Sequence, residues 1–358
     1  MVEYKMFTLT DAAKWNENFQ KLPREQQDIY FTPELYQLYE DLGDGKANCF
    51  VFEHEGDIAI YPFLLNSINE LGYELDKEYF DIQGVYGYNG WLVSTMDESF
   101  IKELQRGFST YCKKENIVAE FTRFYPLIEN QKFSKNIMDV IYDRETVALD
   151  LHKSFEDIWQ NEYSSTNKNM IRKAEKLGYE IEIINDPTKN EIEKFIVIYE
   201  YSMKMANAKE YYYFNNDFFL NTFKYLNNYT FLFNVKTKEN EVVCSSIFFH
   251  YKDYFHYHLS GRSENADNSV NNFLLNEAVK FAQKKNAKVF HFGGGKTNLP
   301  DDSLLKFKSN FSKKRLSFYI GKKIYNEEIY NEVIRQWEEK VKINKMSTNN
   351  KLLRYREI

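Results

Sequence analysis

The sequence predicts an α/β protein built from two domains. Its 358 residues are about twice the length of an ordinary domain. Apolar-rich runs at 49–54 and 58–65, separated by a glycine-containing turn, predict a β-hairpin that opens a first sheet. After residue 154 a similar order of helices and strands begins again. We therefore expect one domain at 1–151, a second at 152–345 and a C-terminal tail at 346–358.

The remaining elements of the first domain follow from periodicity and turn residues. A glycine-rich stretch at 81–94 predicts a strand interrupted by a loop. A helix is predicted at 98–114 and a strand at 117–124. Two further strands at 137–142 and 146–151 complete a mixed α/β unit.

The second domain is predicted in the same way. Helices are predicted at 155–159, 165–177, 189–206, 216–226 and 270–285. Strands are predicted at 179–184, 230–236, 242–251, 254–262, 288–292 and 316–320. Gly178 directly follows the second of these helices and indicates its end. An amphipathic helix at 327–340 is expected to pack back on the body of the protein.

The composition excludes several classes of function. The net charge of −6 is mixed along the chain, so no basic stripe indicates binding to nucleic acid. Cys49, Cys112 and Cys244 are widely spaced, which predicts neither disulfides nor a metal site. No window reaches the ~20 apolar residues of a membrane span, and no apolar leader is found. We expect a cytoplasmic protein.

The strand at 254–262 is a candidate for the functional site. The period of two places His256 and His258 on one face and apolar side chains on the other. Ser269 is then a plausible N-cap of the next helix, whose amide groups and dipole favour a pyrophosphate. The strand after that helix ends in three glycines, Gly293–Gly295, followed by Lys296, where a ligand could approach the backbone closely.

This order of strand, polar loop, helix and strand is similar to the thioester-binding core of the GNAT acyltransferase superfamily. The runs NNFLLNEAVKFA at 271–282, GGG at 293–295 and DSLLKFKSNF at 302–311 resemble the Fem-type double-GNAT transferases and their relatives in surface-polysaccharide gene clusters. The runs at 164–178 and 208–214 also resemble that family. The resemblance implies two tandem GNAT-like domains, each a mixed central sheet flanked by helices, with a cleft between them in which an amine attacks an activated carbonyl.

Two donors occur in this family, aminoacyl-tRNA and acyl-CoA. The long charged coiled-coil arm of some bridge-forming members is absent, the chain is mildly acidic, and aromatic clusters suit a sugar nucleotide. We therefore expect transfer of an acyl group from acyl-CoA, without a metal, to the amino group of a nucleotide-linked amino-dideoxy sugar for surface-polysaccharide synthesis. The partners are then small molecules and not DNA, and the oligomeric state is left open.

Two alternatives remain. One is a transferase that depends on aminoacyl-tRNA and extends a peptidoglycan precursor. The other is a ligand-binding double-GNAT protein without catalysis.

The usual GNAT pyrophosphate pattern is not found between Arg262 and Val270, so coenzyme A would depend on side chains or helix amides. The predicted donor-binding residues are Ser260, Arg262, Asn265, Ser269, Asn271, Gly293, Gly294, Gly295 and Lys296.

Amide formation needs a proton acceptor and stabilisation of the carbonyl oxygen. His258 is the first candidate base and His256 the second, although a histidine in a strand is often structural. The resemblance directs Lys308 at the reaction centre, where it could bind a phosphate or the oxyanion; a solvated helix lysine is the alternative. The predicted acceptor-binding residues are Lys168, Arg172, Tyr211, Tyr212, Phe214, Tyr86, Tyr88 and Trp91, with core packing or solvation as the competing explanation for each.

Overall fold

The computed structural model describes residues 4–299, 301–341 and 352–356. The strands are β1 (Tyr4–Thr8), β2 (Lys46–His54), β3 (Asp57–Ser67), β4 (Phe80–Gln83), β5 (Leu92–Val93), β6 (Ile117–Arg123), β7 (Asp139–Asp150), β8 (Glu180–Ile184), β9 (Thr230–Lys236), β10 (Val242–Tyr251), β11 (Tyr254–Arg262), β12 (Val289–Gly294) and β13 (Arg315–Ile324). The α-helices are α1 (Ala12–Gln20), α2 (Pro33–Leu42), α3 (Glu98–Lys114), α4 (Gln131–Ser134), α5 (Phe155–Asp157), α6 (Ser165–Leu177), α7 (Lys189–Met205), α8 (Asn216–Tyr225), α9 (Val270–Lys284), α10 (Ser303–Ser309) and α11 (Glu327–Val341).

The chain divides into two compact units. Unit 1 comprises Met1–Asp143 and Phe318–Ile358, and unit 2 comprises Arg144–Ser317. This division differs from the predicted one, which placed all residues from 152 to 345 in the second domain. The physical reason is strand pairing, because Ile320–Ile324 of β13 pair antiparallel with β6 of unit 1. Of the predicted tail, the described residues Leu352 and Tyr355 are buried in a core cluster of unit 1.

The two units share one sheet topology. In unit 1, β1, β2, β3 and β4 are antiparallel neighbours, β4 runs parallel to β6, and β13 closes the sheet antiparallel to β6. In unit 2, β8, β9, β10 and β11 repeat the antiparallel order, β11 runs parallel to β12, and β7 closes the sheet. The parallel crossover contains α3 in unit 1 and α9 in unit 2. The structure thus confirms the predicted tandem mixed α/β fold.

The core of unit 2 lies between its sheet and the helices α6 and α9. Phe233, Phe248 and Phe255 project from three neighbouring strands onto the side chains of α9. On the opposite face α7 packs directly on β11. A Cβ atom at Gly261 would lie 2.5 Å from the carbonyl oxygen of Ile198, so glycine is required for this close approach.

Helix α6 shows how local sequence sets an element. Ser164 caps it by accepting a hydrogen bond from the amide of Asn167, and Gly178 ends it in the left-handed region at φ +78°. Its bounds agree with the predicted helix at 165–177. The strands predicted separately at 137–142 and 146–151 are instead one strand, β7. The elements β1, α1, α2 and α4 were not predicted, and α10 was anticipated only in the alternative that Lys308 is a helix lysine.

Candidate active site in unit 2

Strands β11 and β12 separate part-way along their length. Their parallel pairing runs from Tyr254 with Val289 to His256 with His291, and within the described residues it ends there. Strand β11 continues to Arg262, whereas β12 continues to Gly294 and stays paired with β7. We call the space between β11 and β12 beyond the His256–His291 pair the strand gap. Among the described residues, no residue of β11 after His256 pairs with β12.

A β-bulge in β11 adjoins the strand gap. Ile247 of β10 pairs with Leu259 but Phe248 pairs with Tyr257, so His258 is the extra residue. Tyr257 packs against the unit 2 core on the α9 side. The ring of His258 lies 4.3 Å from that of Phe249. The predicted strict alternation from 254 to 262 is therefore wrong after Tyr257, because the bulge moves Leu259 off the face that Tyr257 occupies.

Lys308 projects from α10 to the end of β12. Its Nζ atom donates a hydrogen bond to the carbonyl oxygen of Gly294 at 2.8 Å and lies 5.7 Å from the ring centroid of Tyr257. It is also 3.3 Å from where a Cβ atom of Gly293 would lie. The side chain is buried, and burial lowers the pKa of Lys308 from 10.5 to about 7, although Asp302 opposes the shift. Lys308 is thus a buried amine beside the strand gap that changes charge near neutral pH.

Asp302 holds the segment that carries Lys308. Its carboxylate accepts the amide of Leu305, which caps α10, and the amides of Lys296 and Thr297. Burial raises the pKa of Asp302, but these hydrogen bonds outweigh it and lower the pKa overall. A Cβ atom at Gly295 would come within 2.3 Å of the Asp302 carboxylate, so this glycine is required for the loop. Asp302 therefore fixes α10 relative to Gly293–Gly295, which we call the glycine segment.

The glycine segment is held by the protein itself at several backbone groups. Gly294 accepts from Lys308, the carbonyl of Gly295 accepts from Arg144 at 3.1 Å, and the amide of Lys296 donates to Asp302. Gly293 adopts φ +78°, a conformation that favours glycine. The glycines therefore position Lys308, and their predicted contact with a donor stays a prediction.

Three histidines, His256, His258 and His291, lie near the strand gap. His256 is buried, and its ring lies 5.8 Å from that of His291. The Nε2 atom of His291 lies 3.0 Å from the hydroxyl of Thr146. Burial, and secondarily His256, lowers the pKa of His258 to about 3. His258 is therefore neutral at pH 7 and a weak base.

The start of α9 differs from the predicted phosphate cradle. Ser269 precedes the helix as predicted, but its side chain makes no capping hydrogen bond. Instead its hydroxyl and amide both donate to the carboxylate of Asp267, at 2.6 and 2.9 Å. Hydrogen bonds from Lys173 and Ser269 lower the pKa of Asp267 to about 2. A carboxylate of the chain thus occupies the place beside Ser269 that was predicted for an anion.

The other predicted donor residues lie in β11, in the loop after it and at the start of α9. The hydroxyls of Ser260 and Ser246 are 2.6 Å apart, and Asn271 accepts a hydrogen bond from the thiol of Cys244. The guanidinium group of Arg262 donates to Asn268 at 2.8 Å. Asn265 is exposed. None of these four predicted residues has a described contact with Lys308.

The predicted acceptor residues of unit 2 are dispersed. Lys168 donates to the carbonyl of Gln160, and the guanidinium group of Arg172 lies over the ring of Trp159. Tyr211 is 44% exposed, and Tyr212 is partly buried. Phe214 is buried and stacks on Phe218 with ring centroids 4.2 Å apart. Phe214 is a core residue, so its predicted place in a pocket wall is not supported.

The predicted acceptor residues of unit 1 also divide into core and surface. Trp91 is buried and stacks on Tyr61 at 4.7 Å, so it belongs to the core. Tyr86 and Tyr88 are partly buried, and Tyr88 packs against Tyr125 at 5.2 Å.

In unit 1 the position that corresponds to the strand gap, between β4 and β6, is filled by a loop. Its parallel strands β4 and β6 pair as far as Gln83 with Phe121. Beyond that point Asn89 returns to β6, where its amide donates to the carbonyl of Arg123 and its side-chain oxygen accepts the amide of Arg123. The loop therefore restores contact along the stretch where β11 and β12 separate in unit 2.

Comparison with known proteins agrees with this fold. Residues 163–308, which lie within unit 2, match the acetyltransferase (GNAT) domain family. The match identifies a GNAT acetyltransferase domain in this part of the chain. No curated protein sequence matches the chain.

Solved structures resemble this chain over most of its length. FemX has 13% sequence identity and a TM-score of 0.67, with 92% of this chain and 99% of FemX covered. L-PGS from Bacillus licheniformis has 12% identity and a TM-score of 0.57, with 90% and 95% covered. A tandem GNAT protein from the clavulanic acid biosynthesis pathway has 7% identity and a TM-score of 0.51, with 90% and 98% covered. At these identities the likeness concerns the fold.

Two further observations concern the described residues. In the part of the chain that the structure describes, no group of three or more His, Cys, Asp or Glu side chains could hold a metal ion. Among the same residues, no helix is long and apolar enough to span a membrane.

Of the predicted site residues, the structure brings Lys308 together with Gly293 and Gly294. Sequence reasoning missed Tyr257 and Asp302 as parts of this cluster. Asp302 has a local signal, since an aspartate three residues before Leu305 is a typical N-cap. Tyr257 has none, because the bulge and the strand gap that give it its place depend on pairing with other strands.

Proposed function

We propose that the protein transfers an acyl group from acyl-CoA to the amino group of a nucleotide-linked amino-dideoxy sugar, and that the chemistry takes place in the strand gap of unit 2. The observation that carries this proposal is the separation of β11 and β12 beside the buried amine of Lys308. Surface-polysaccharide synthesis is the process that would use such a product.

The strand gap suits a thin, extended donor. The backbone edge of β11 beyond His256 offers amide and carbonyl groups to an amide-containing arm in the way that a sheet edge binds an added strand. On the β12 side the carbonyl of Gly294 already accepts a hydrogen bond from Lys308. When bound, the donor supplies an activated thioester carbonyl. The predicted donor residues Ser260 and Arg262 lie on the β11 side of this gap. We propose Arg262 as a phosphate contact, while Asp267 disfavours an anion directly beside Ser269.

Lys308 is the residue best suited to handle the proton. In the reaction the acceptor nitrogen forms a bond to the carbonyl carbon and loses a proton to a base. The carbon–sulfur bond breaks, and coenzyme A leaves as its thiolate with the electron pair of that bond. A base works best when its pKa lies near the operating pH. The pKa of Lys308, about 7, meets this condition, whereas that of His258, about 3, does not. We therefore propose Lys308 in place of His258 as the proton acceptor.

His256 and His258 then have a positioning role. The rings of His256 and His291 lie at the last paired position before the strand gap, and the ring of His258 packs on Phe249. Replacement of His258 by glutamine should lower kcat less than replacement of Lys308.

A second candidate donor is aminoacyl-tRNA. It is favoured by the fold similarity to FemX, which covers 99% of that chain, because the resemblance noted from the sequence is also to Fem-type transferases. The net charge of −6 favours the first proposal, since phosphate-backbone binding draws on Lys and Arg side chains. A ligand-binding protein without catalysis is the third possibility, and the assay below tests it.

The test measures thiol release from a panel of acyl-CoAs with nucleotide-linked amino sugars as acceptors. Lys308→Met should lower kcat by about 10²–10⁴, as expected for a lost general base. Lys306→Met removes an exposed lysine from the same helix and is the matched control. The kcat of the wild type should rise with pH through about 7, because the neutral amine accepts the proton.

Three results would contradict the proposal. Wild-type kcat in the Lys308→Met variant would remove Lys308 from the mechanism. Thiol release at the background level with every acceptor would favour a protein that only binds ligands. Product formation that needs aminoacyl-tRNA and is abolished by ribonuclease would identify the second donor.

A further inference from the structure

Unit 1 has an open surface depression outside the strand gap. The depression has a volume of about 750 Å³ and is lined by Lys135, Met138, Asp139, Val140, Ile141, Tyr142 and Tyr319. All of these residues belong to unit 1. The depression is open to solvent, so a ligand would lie against its surface and would not be enclosed.

Two tyrosines form an aromatic platform in this depression. The rings of Tyr142 and Tyr319 are 5.8 Å apart and meet edge to face at 79°. Tyr142 is 54% exposed, and Tyr319 is partly buried behind it. Because the rings hold each other in place, the platform requires little additional ordering when a ligand binds.

Charged groups flank the platform. Lys135 and Asp139 line the depression together with the two tyrosines, and Asp139 is exposed. The site therefore combines an aromatic surface with a cation and a carboxylate. A pyranose ring has the matching chemistry, since its C–H face can lie on an aromatic ring while its hydroxyl groups form hydrogen bonds with charged side chains.

A protein partner fits this surface less well. Stable protein interfaces bury about 800 Å² on each partner, and a platform of two tyrosines with Ile141 and Val140 beside it is far smaller. The apolar residues are also interspersed with charged ones, whereas the buried centre of an interface is depleted of charge.

We propose that the depression at Tyr142 and Tyr319 binds a pyranose ring, and that it is a sugar-binding subsite of unit 1. The link to the acceptor of acyl transfer rests on the proposed function, but the binding of the sugar ring does not. A site that recognises the ring would bind the sugar without its nucleotide.

The experiment measures binding of methyl glycosides to the full chain by saturation-transfer NMR, with no acyl donor present. The probes are methyl glucopyranoside, methyl 2-amino-2-deoxyglucopyranoside and methyl 4-amino-4,6-dideoxyglucopyranoside, and uridine diphosphate is the sugar-free probe. We expect saturation of the ring C–H protons of at least one glycoside. Tyr142→Ala should weaken its binding roughly three- to tenfold, as expected for the loss of one aromatic contact.

Two variants control this measurement. Tyr142→Phe retains the platform and should bind like the wild type. Tyr213→Ala removes a tyrosine of similar exposure, 43%, from unit 2 and should have no effect. A circular-dichroism melt of each variant establishes that it is folded.

The proposal is overturned if none of the glycosides binds, or if Tyr142→Ala binds them as tightly as the wild type. It is also overturned if Tyr142→Ala weakens the binding of uridine diphosphate and leaves the binding of the glycosides unchanged, because the platform would then bind a base. Since no donor is present, failure of sugar binding leaves the acyl-transfer proposal untouched, and failure of acyl transfer leaves sugar binding untouched.

Discussion

Replacement of Lys308 by methionine should make the protein more stable while removing its activity. Burial lowers the pKa of Lys308 from 10.5 to about 7, so the folded state disfavours a charge that the unfolded chain carries freely. At about 1.4 kcal/mol for each pKa unit, and with the folded amine half protonated at pH 7, this costs the folded state about 4 kcal/mol. Methionine fills a similar volume without the charge, but the carbonyl of Gly294 loses its donor, which costs about 1 kcal/mol. We expect a net gain of about 3 kcal/mol in the free energy of unfolding.

The stability difference between the wild type and Lys308→Met should also depend on pH. Between pH 7 and 10 the unfolded chain holds a proton on Lys308 that the folded chain has released, so the stability of the wild type rises with pH. The advantage of Lys308→Met should therefore shrink, by about 2 kcal/mol between pH 7 and pH 9.

Urea unfolding at pH 7, 8 and 9 measures both effects. Lys306→Met is the control, because this exposed lysine lies on the same helix and should change stability little at any of these pH values. A Lys308→Met protein that is less stable than the wild type at pH 7 would refute the reasoning. So would a stability difference that stays constant from pH 7 to pH 9.

Three further predictions concern packing. Arg356→Met should lower the free energy of unfolding by about 3 kcal/mol, measured by urea unfolding, because Arg356 donates to both carboxylate oxygens of the buried Asp81; an unchanged midpoint would contradict this. Trp91→Phe should change the free energy of unfolding by less than about 1 kcal/mol, since among the described residues the Nε1 atom of Trp91 has no hydrogen-bond partner. Trp91→Ala should lower the free energy of unfolding by about 3–5 kcal/mol, and equal thermal melts for the two variants would contradict the argument. Gly261→Ala should lower the melting temperature by several degrees, because its Cβ atom would lie 2.5 Å from the carbonyl of Ile198 and the backbone there would have to move.

Much of the fold could be read from local sequence. The helix at 165–177 was predicted with its observed bounds because both of its signals, the cap at Ser164 and the stop at Gly178, are local. The two predicted strands at 137–142 and 146–151 form the single strand β7, because the polar residues between them also belong to the strand. The structure groups the residues after 317 with unit 1, unlike the predicted domain boundaries, because Ile320–Ile324 pair with β6. This pairing joins residues far apart in the chain and leaves no local signal.

The candidate site could be predicted less completely. The sequence indicated Lys308 and the glycines at 293–294, and the structure places them together at the end of β12. It also indicated Phe214 and Trp91 as pocket walls, although both are buried in the core. Aromatic residues in surface and core positions look alike in sequence, because their burial depends on which residues pack against them.

The sequence by itself determined that this protein is an α/β chain with two similar halves, and it indicated the lysine at which the chemistry is proposed. These features follow from periodicity, caps and glycine positions, which act over a few residues. Only the tertiary structure decided that β11 and β12 separate after His256 and His291, that the bulge at His258 breaks the predicted alternation, and that the amine of Lys308 is buried. The physical reason is that register, bulges and burial arise from contacts between residues far apart in the chain, and the pKa of a lysine follows from that burial.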